Sequence, residues 1–301
     1  MPGPPSCLSP RLALVGACLA VCALTACHGT NRALILPKQA GPVPVSAPRQ
    51  PTAAEQAFWD QLAPARVIYI GETHNSNSDH EYQWDVLRGL KARGVRIAVG
   101  WEMFDETQQG LLDEWNARRL ATEALLQRTD FQAHWGTLSV LYEKILRWTL
   151  AENVPSLALN APASLSHKLA LGQPLDPGEK AALPTGFRPL PGGFEHFSEQ
   201  MSAAPHGGAD LRNFYAAQLL WDQTMATRIV DFLAAHPDQK LVVLIGRGHV
   251  EGGFGVPAFV MQKTSAQQLV VYPGGLPASG GANGSGQLAS ARLRKVPVGI
   301  L

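Results

Sequence analysis

Five unbroken apolar runs recur along the middle of the chain: RVIYIG at 66–71, VRIAVGW at 95–101, SLALN at 156–160, KLVVLIG at 240–246 and QLVVYP at 268–273. They do not alternate with polar residues, which is the pattern of strands covered on both faces. Between them the apolar spacing turns helical. Asp79 to Arg93 sets His80, Gln83, Trp84 and Leu87 on one face, with Asp79 placed to cap. His134 to Asn153 carries Leu138, Leu141, Tyr142, Ile145 and Trp148, and Leu211 to Ala235 predicts the longest helix. Residues 161–209 begin helically, then fill with proline and glycine, and read as an insertion of short helices, a flap. Strands alternating with helices predict an α/β fold. Its sheet is expected to be mainly parallel and flanked by helices, with a helical and irregular insertion before the long helix of the C-terminal half.

The two ends break this pattern. After Arg11 comes LALVGACLAVCALTAC, too short and too small-residued to span a bilayer well. Its last four residues, Leu24-Thr25-Ala26-Cys27, have the order of a bacterial lipobox. In that reading residues 1–27 are a lipoprotein signal cut before Cys27, whose thiol is acylated; the competing reading is a plain signal peptide with an incidental cysteine. Two or more acyl chains anchor stably where one does not. His28, not Asp, follows Cys27, so nothing argues for retention at the inner membrane, and the expected place is the periplasmic side of the outer membrane. Residues 28–54 read as a proline-rich tether, 55–275 as the folded domain and 276–301 as a flexible Gly/Ser-rich tail.

All four cysteines, Cys7, Cys18, Cys22 and Cys27, lie in or at the end of the signal. A chain cut before Cys27 therefore builds its folded domain without thiolate metal sites, disulfides or a cysteine nucleophile. A formal net charge of +1 on 301 residues gives no excess to attract nucleic acid.

Charged groups collect where strands end. GETH follows the first run, Glu102 closes the second in VGWEMF, Asn160 ends the third, and Arg247 and His249 follow the fourth in GRGHVEGGFG. In open α/β sheets that edge is where ligands bind, so Glu72, His74, Glu102 and His249 are expected on one pocket. Each has a plainer reading: Glu72 as a cap, Glu102 and Arg247 as a structural ion pair, His80 as a core residue. The glycines of GRGHVEGGFG do not make a dinucleotide fingerprint, because Glu251 occupies the third glycine's place.

The segments GETHNSNSDHEYQ, VGWEMF, AQLLWDQTMA and IGRGHVEGGFGVP, in this order over residues 55–273, resemble the motifs of the ChaN-like haem-binding lipoproteins of the Tiki/TraB/erythromycin-esterase superfamily. The resemblance implies a lipoprotein of haem or iron uptake or storage whose homodimer holds haem groups face to face. Some relatives in the wider superfamily hydrolyse peptides or esters, and Glu72, His74, Glu102 and His249 match the positions that do so. Ferric haem is well served by a phenolate or imidazole, with a cation for its propionates. Tyr215, His80 and His249 are the candidates for the iron, Tyr82 and Tyr142 weaker ones, and Arg212 or Arg247 the candidates for the propionates. The alternative is a metal-assisted hydrolase, with a divalent ion on His74, Glu102 and His249 and with Glu72 or Glu102 as base.

Overall fold

The computed structural model describes residues 51–202 and 210–273 and the backbone of 292–295. Cys27, the signal, the tether up to residue 50 and the rest of the tail lie outside the described residues. The strands are β1 (Val67–Glu72), β2 (Ile97–Asp105), β3 (Ser156–Asn160), β4 (Lys240–Gly246), β5 (Gln268–Tyr272) and β6 (Arg292–Lys295). They form one sheet in the order β3-β2-β4-β1-β5-β6. All pairings from β3 to β5 are parallel, and β6 runs antiparallel along β5. The expected α/β class with a mainly parallel sheet is what the molecule has.

The helices are α1 (Ala53–Leu62), α2 (Asn77–Ala92), α3 (Gln109–Asn116), α4 (Thr122–Arg128), α5 (Phe131–Trp135) and α6 (Ser139–Ala151). They continue with α7 (Ala163–Ala170), α8 (Pro177–Ala181), α9 (Gly193–Met201), α10 (Leu211–Ala235) and α11 (Val256–Lys263). Three short helices, α7 to α9, make up the described part of the insertion. Strand side chains divide by parity. Ile68, Ile70, Val99, Trp101, Val242 and Leu244 pack with Phe58, Leu87, Leu112 and Tyr142 on the face of α1, α2, α3 and α6. Val67, Tyr69, Ala98, Val243 and Ile245 pack with Met225, Ile229 and Phe259 on the face of α10 and α11. Each fully buried aliphatic side chain contributes roughly 1.5–3 kcal/mol, and that burial explains why neither parity is polar. Among the described residues no helix is long and apolar enough to cross a membrane.

Three local details differ from the sequence expectation. Ser76, not Asp79, caps α2; its hydroxyl accepts from the Asp79 N–H, while the Asp79 carboxylate accepts from the Thr73 N–H at 2.8 Å. The helix expected over 134–153 is interrupted at Gly136, whose φ of 53° few other residues adopt. And β2 runs past Glu102 to Asp105, with a register shift against β3 after Trp101. Such a bulge re-aims side chains at a strand's end, and it lies where β2 enters the site with Glu102.

Candidate functional site

The carboxyl ends of β1, β2 and β4 bring together groups that are far apart in the chain. Glu72, at the end of β1, is buried. Its Oε1 accepts from the Tyr142 hydroxyl at 2.6 Å and pairs with His74 Nδ1 at 2.8 Å. Its Oε2 accepts from the Gln83 amide and stands 3.5 Å from His80 Nδ1. Glu102 accepts the Gly246 N–H on Oε2 at 2.5 Å, and its Oε1 faces His249 Nε2 at 3.3 Å and His74 Nε2 at 3.7 Å. His249 Nδ1 reaches Asp222 Oδ1 on α10 at 2.6 Å, with the Gln218 amide 2.9 Å from the same nitrogen. Carboxylate and imidazole thus alternate through Asp222, His249, Glu102, His74, Glu72 and His80.

The alternation decides the charge states. Burial opposes a charge on His249, but Glu102 on one nitrogen and Asp222 on the other overcome it and push its pKa up to about 10. His74 follows the same balance: burial works against its charge, and the hydrogen bond to Glu72 together with the charge of Glu102 raises it. Burial would raise Glu102, yet His249, His74 and the Gly246 N–H bring it below its ordinary value. Burial pushes Asp222 upward, against the pull of His249. The ion pair is retained, because the contact at 2.6 Å is a charge-assisted one.

Two cavities flank this chain of groups. The larger, about 440 Å³, has His74, Glu102 and His249 at its polar end and Phe131, Trp135 and Trp221 on its walls. The smaller, about 30 Å³, lies against Asp222, with Tyr215, His196, Phe197 and Phe254 around it. Glu72, His74, Glu102 and His249 are together at one rim. Tyr215 belongs to the smaller cavity, with its ring 5.6 Å from Phe194 and 5.4 Å from Phe197. His80 lines neither cavity; its Nε2 is 2.9 Å from the His74 carbonyl and its ring packs edge-on to Tyr142. Arg247 donates to the Pro273 carbonyl at 2.5 Å and lies 3.6 Å from Asp79. Arg212 is exposed, 4.4 Å above the Phe194 ring. Among the described residues no group of three or more His, Cys, Asp and Glu is arranged to hold a metal ion.

The family described as "Haem-binding uptake, Tiki superfamily, ChaN" matches residues 58–260. The chain belongs to this family. The match spans β1 to α11 and takes in every residue of the alternating chain. Among solved structures, ChaN of Campylobacter jejuni, described as binding haem cofacially, is 20% identical with a TM-score of 0.54, over 80% of this chain and 91% of that one. The two share the fold. The C-terminal region of the Pasteurella multocida toxin, at 10% identity and a TM-score of 0.46, covers 76% of this chain and 25% of that one. RRSP, a toxin effector domain from Vibrio vulnificus, is 18% identical with a TM-score of 0.39, over 71% and 35% of the respective chains. No curated protein matches.

Sequence reading missed Asp222 and the part played by Gln83, and it placed Tyr142 only as a weak ligand candidate. Asp222 did carry a signal. It is an acid inside the apolar LLWDQTMA stretch of α10, and a buried carboxylate needs a partner.

Proposed function

We propose that the chain is a haem-binding lipoprotein of haem or iron uptake, anchored through acylated Cys27 to the periplasmic side of a bacterial outer membrane and acting as a homodimer. The observation that carries it is membership of a haem-binding uptake family over residues 58–260, which include β1 to β4 and the whole rim. The cofacial haem binding described for ChaN of Campylobacter jejuni supports the paired arrangement. The lipobox order at Leu24–Cys27 supports the anchor.

The candidate ligands differ in what they have left to offer iron. His249 has both ring nitrogens facing carboxylates and is held protonated, so it has no lone pair to give. His80 spends its Nε2 on the His74 carbonyl. The Tyr215 hydroxyl makes no hydrogen bond among the described residues, and Phe194 and Phe197 lie against its ring. Burial and the nearby Asp222 and Glu195 carboxylates raise its pKa, a cost that binding to a ferric ion offsets by stabilising the phenolate. Tyr215 is therefore our choice of axial ligand, with Arg212 on the open side as the cation for a propionate. Bound haem would supply the iron chemistry; the chain supplies the phenolate and the charge. The comparisons do not favour the alternative of a metal-assisted hydrolase.

Titration of the chain lacking residues 1–27 with hemin should give a Soret band that grows and saturates at micromolar hemin. Absence of a saturable shift would remove the reading. Tyr215→Phe should move the band and weaken binding. A silent Tyr215→Phe beside a strong effect of His249→Ala would shift the ligand to the larger cavity.

A further inference from the structure

The smaller cavity is closed by α9. Gly193 is the only buried residue of this helix, and none of its side chains makes a hydrogen bond or ion pair to another element among the described residues. What holds it is ring packing. Phe194 and Phe197 lie on Tyr215, and His196 stacks on Phe254 with ring centres 4.7 Å apart and planes 26° off parallel. Such aromatic pairs stabilise a contact beyond the area they bury.

The closed position also leaves polar atoms unmet. His196 Nε2 is buried without a hydrogen bond, and a buried polar atom left in that state destabilises the closed position. The Tyr215 hydroxyl is pressed against the first residue of the helix: a Cβ on Gly193 would stand 2.3 Å from it. The entry to α9 is Pro191-Gly192-Gly193, where Gly192 has a φ of 75° and provides no side-chain cap. An element with few buried contacts, a glycine hinge and an unmet polar atom belongs to the low-stability end of a fold. Beneath it lie a phenol, the rings of Phe254 and Phe259, and the Asp222 carboxylate.

We infer that α9 is a hinged cover over Tyr215, and that it must swing away before a flat aromatic macrocycle can occupy the place of Phe194 and Phe197 and reach the phenol. This rests on the haem reading proposed above. It adds a step: association is limited by opening of the cover, so the protein selects its ligand through a minor open state.

Stopped-flow mixing of the full chain in detergent with excess hemin tests the step. In the native protein the observed rate should level off as hemin rises, because opening becomes limiting. Phe194→Ala/Phe197→Ala should raise that plateau about tenfold or more while leaving the final spectrum that of the native protein. Gly193→Ala, a milder change that drives a Cβ into the Tyr215 hydroxyl, should raise it in the same direction. A rate that stays linear in hemin and is equal in all three proteins overturns the cover.

Hydrogen exchange of the α9 amides without hemin reads the cover separately. They should exchange together and well ahead of the α10 amides around Asp222. Equal protection of the two helices overturns the cover even where hemin binds. Fast α9 exchange in a protein that gives no hemin spectrum keeps the cover and sinks the haem reading.

Discussion

His249 stands between two carboxylates, and its stability contribution follows from that position. Truncating it leaves Asp222 buried without its cation and Glu102 with His74 alone, 3.7 Å away. His249→Ala should therefore lower stability by about 3–5 kcal/mol, the range for breaking a buried pair from one side, as measured by urea unfolding. The pH dependence has a definite sign. A histidine raised from 6.5 to about 10 on folding contributes fully below 6.5 and loses that contribution as pH rises through about 10. Glu102, lowered from 4.5, contributes above that value and loses its share as pH falls through its depressed folded value. Native protein should thus have its unfolding midpoint highest between these limits, and His249→Ala should lose the decline on the alkaline side. A midpoint in the native protein that is flat from neutral pH to above 10 would contradict the pairing. GETH, Glu102 and His249 were legible because titratable residues after apolar runs are uncommon enough to notice. Tyr142 was not, because its ring fits an apolar helix face and only its hydroxyl enters the site.

At the scale of elements, the turn from β4 into α11 carries His249 and depends on Gly255. This glycine has a φ of 86°, and a Cβ there would lie 2.3 Å from the His249 carbonyl oxygen. Both the backbone conformation and the space demand glycine, and a residue forced into such a region costs roughly 1–3 kcal/mol. Gly94 makes a clean comparison, since its φ is 72° but nothing lies within 4 Å of the same added atom. Gly255→Ala should therefore be the more destabilising of the two by calorimetry and should also displace His249. Equal losses would mean that the contact with the His249 carbonyl is absent. The five parallel strands were legible from continuous apolar runs, which only a doubly covered sheet requires. The break at Gly136 and the bulge in β2 were not, because each depends on what a neighbouring element presses against it. Nor does any apolar run mark β6, whose Arg292-Leu293-Arg294-Lys295 pairs with the edge of β5.

At the scale of the molecule, the predicted lipid anchor and the folded domain have separate tests. Cys27→Ala should abolish incorporation of labelled palmitate and move the protein from the membrane to the soluble fraction of cells. Hemin binding by that variant should match the native protein's, because Cys27 lies outside the family match at 58–260. Loss of both properties together would mean that anchor and cargo site are coupled. Retained labelling would end the lipobox reading.

The sequence by itself determined which segments become strands, since an apolar run can escape water only by burial on both faces. It also determined that acids and imidazoles end those strands. The tertiary structure alone decided how they pair. The order β3-β2-β4-β1 sets the ends of β1, β2 and β4 side by side, and α10 crosses behind them with Asp222. Distances of 2.5–3.7 Å between residues up to 147 positions apart are properties of strand order and register. A Coulombic field that holds one imidazole protonated depends on such distances, and no local pattern of residues encodes them.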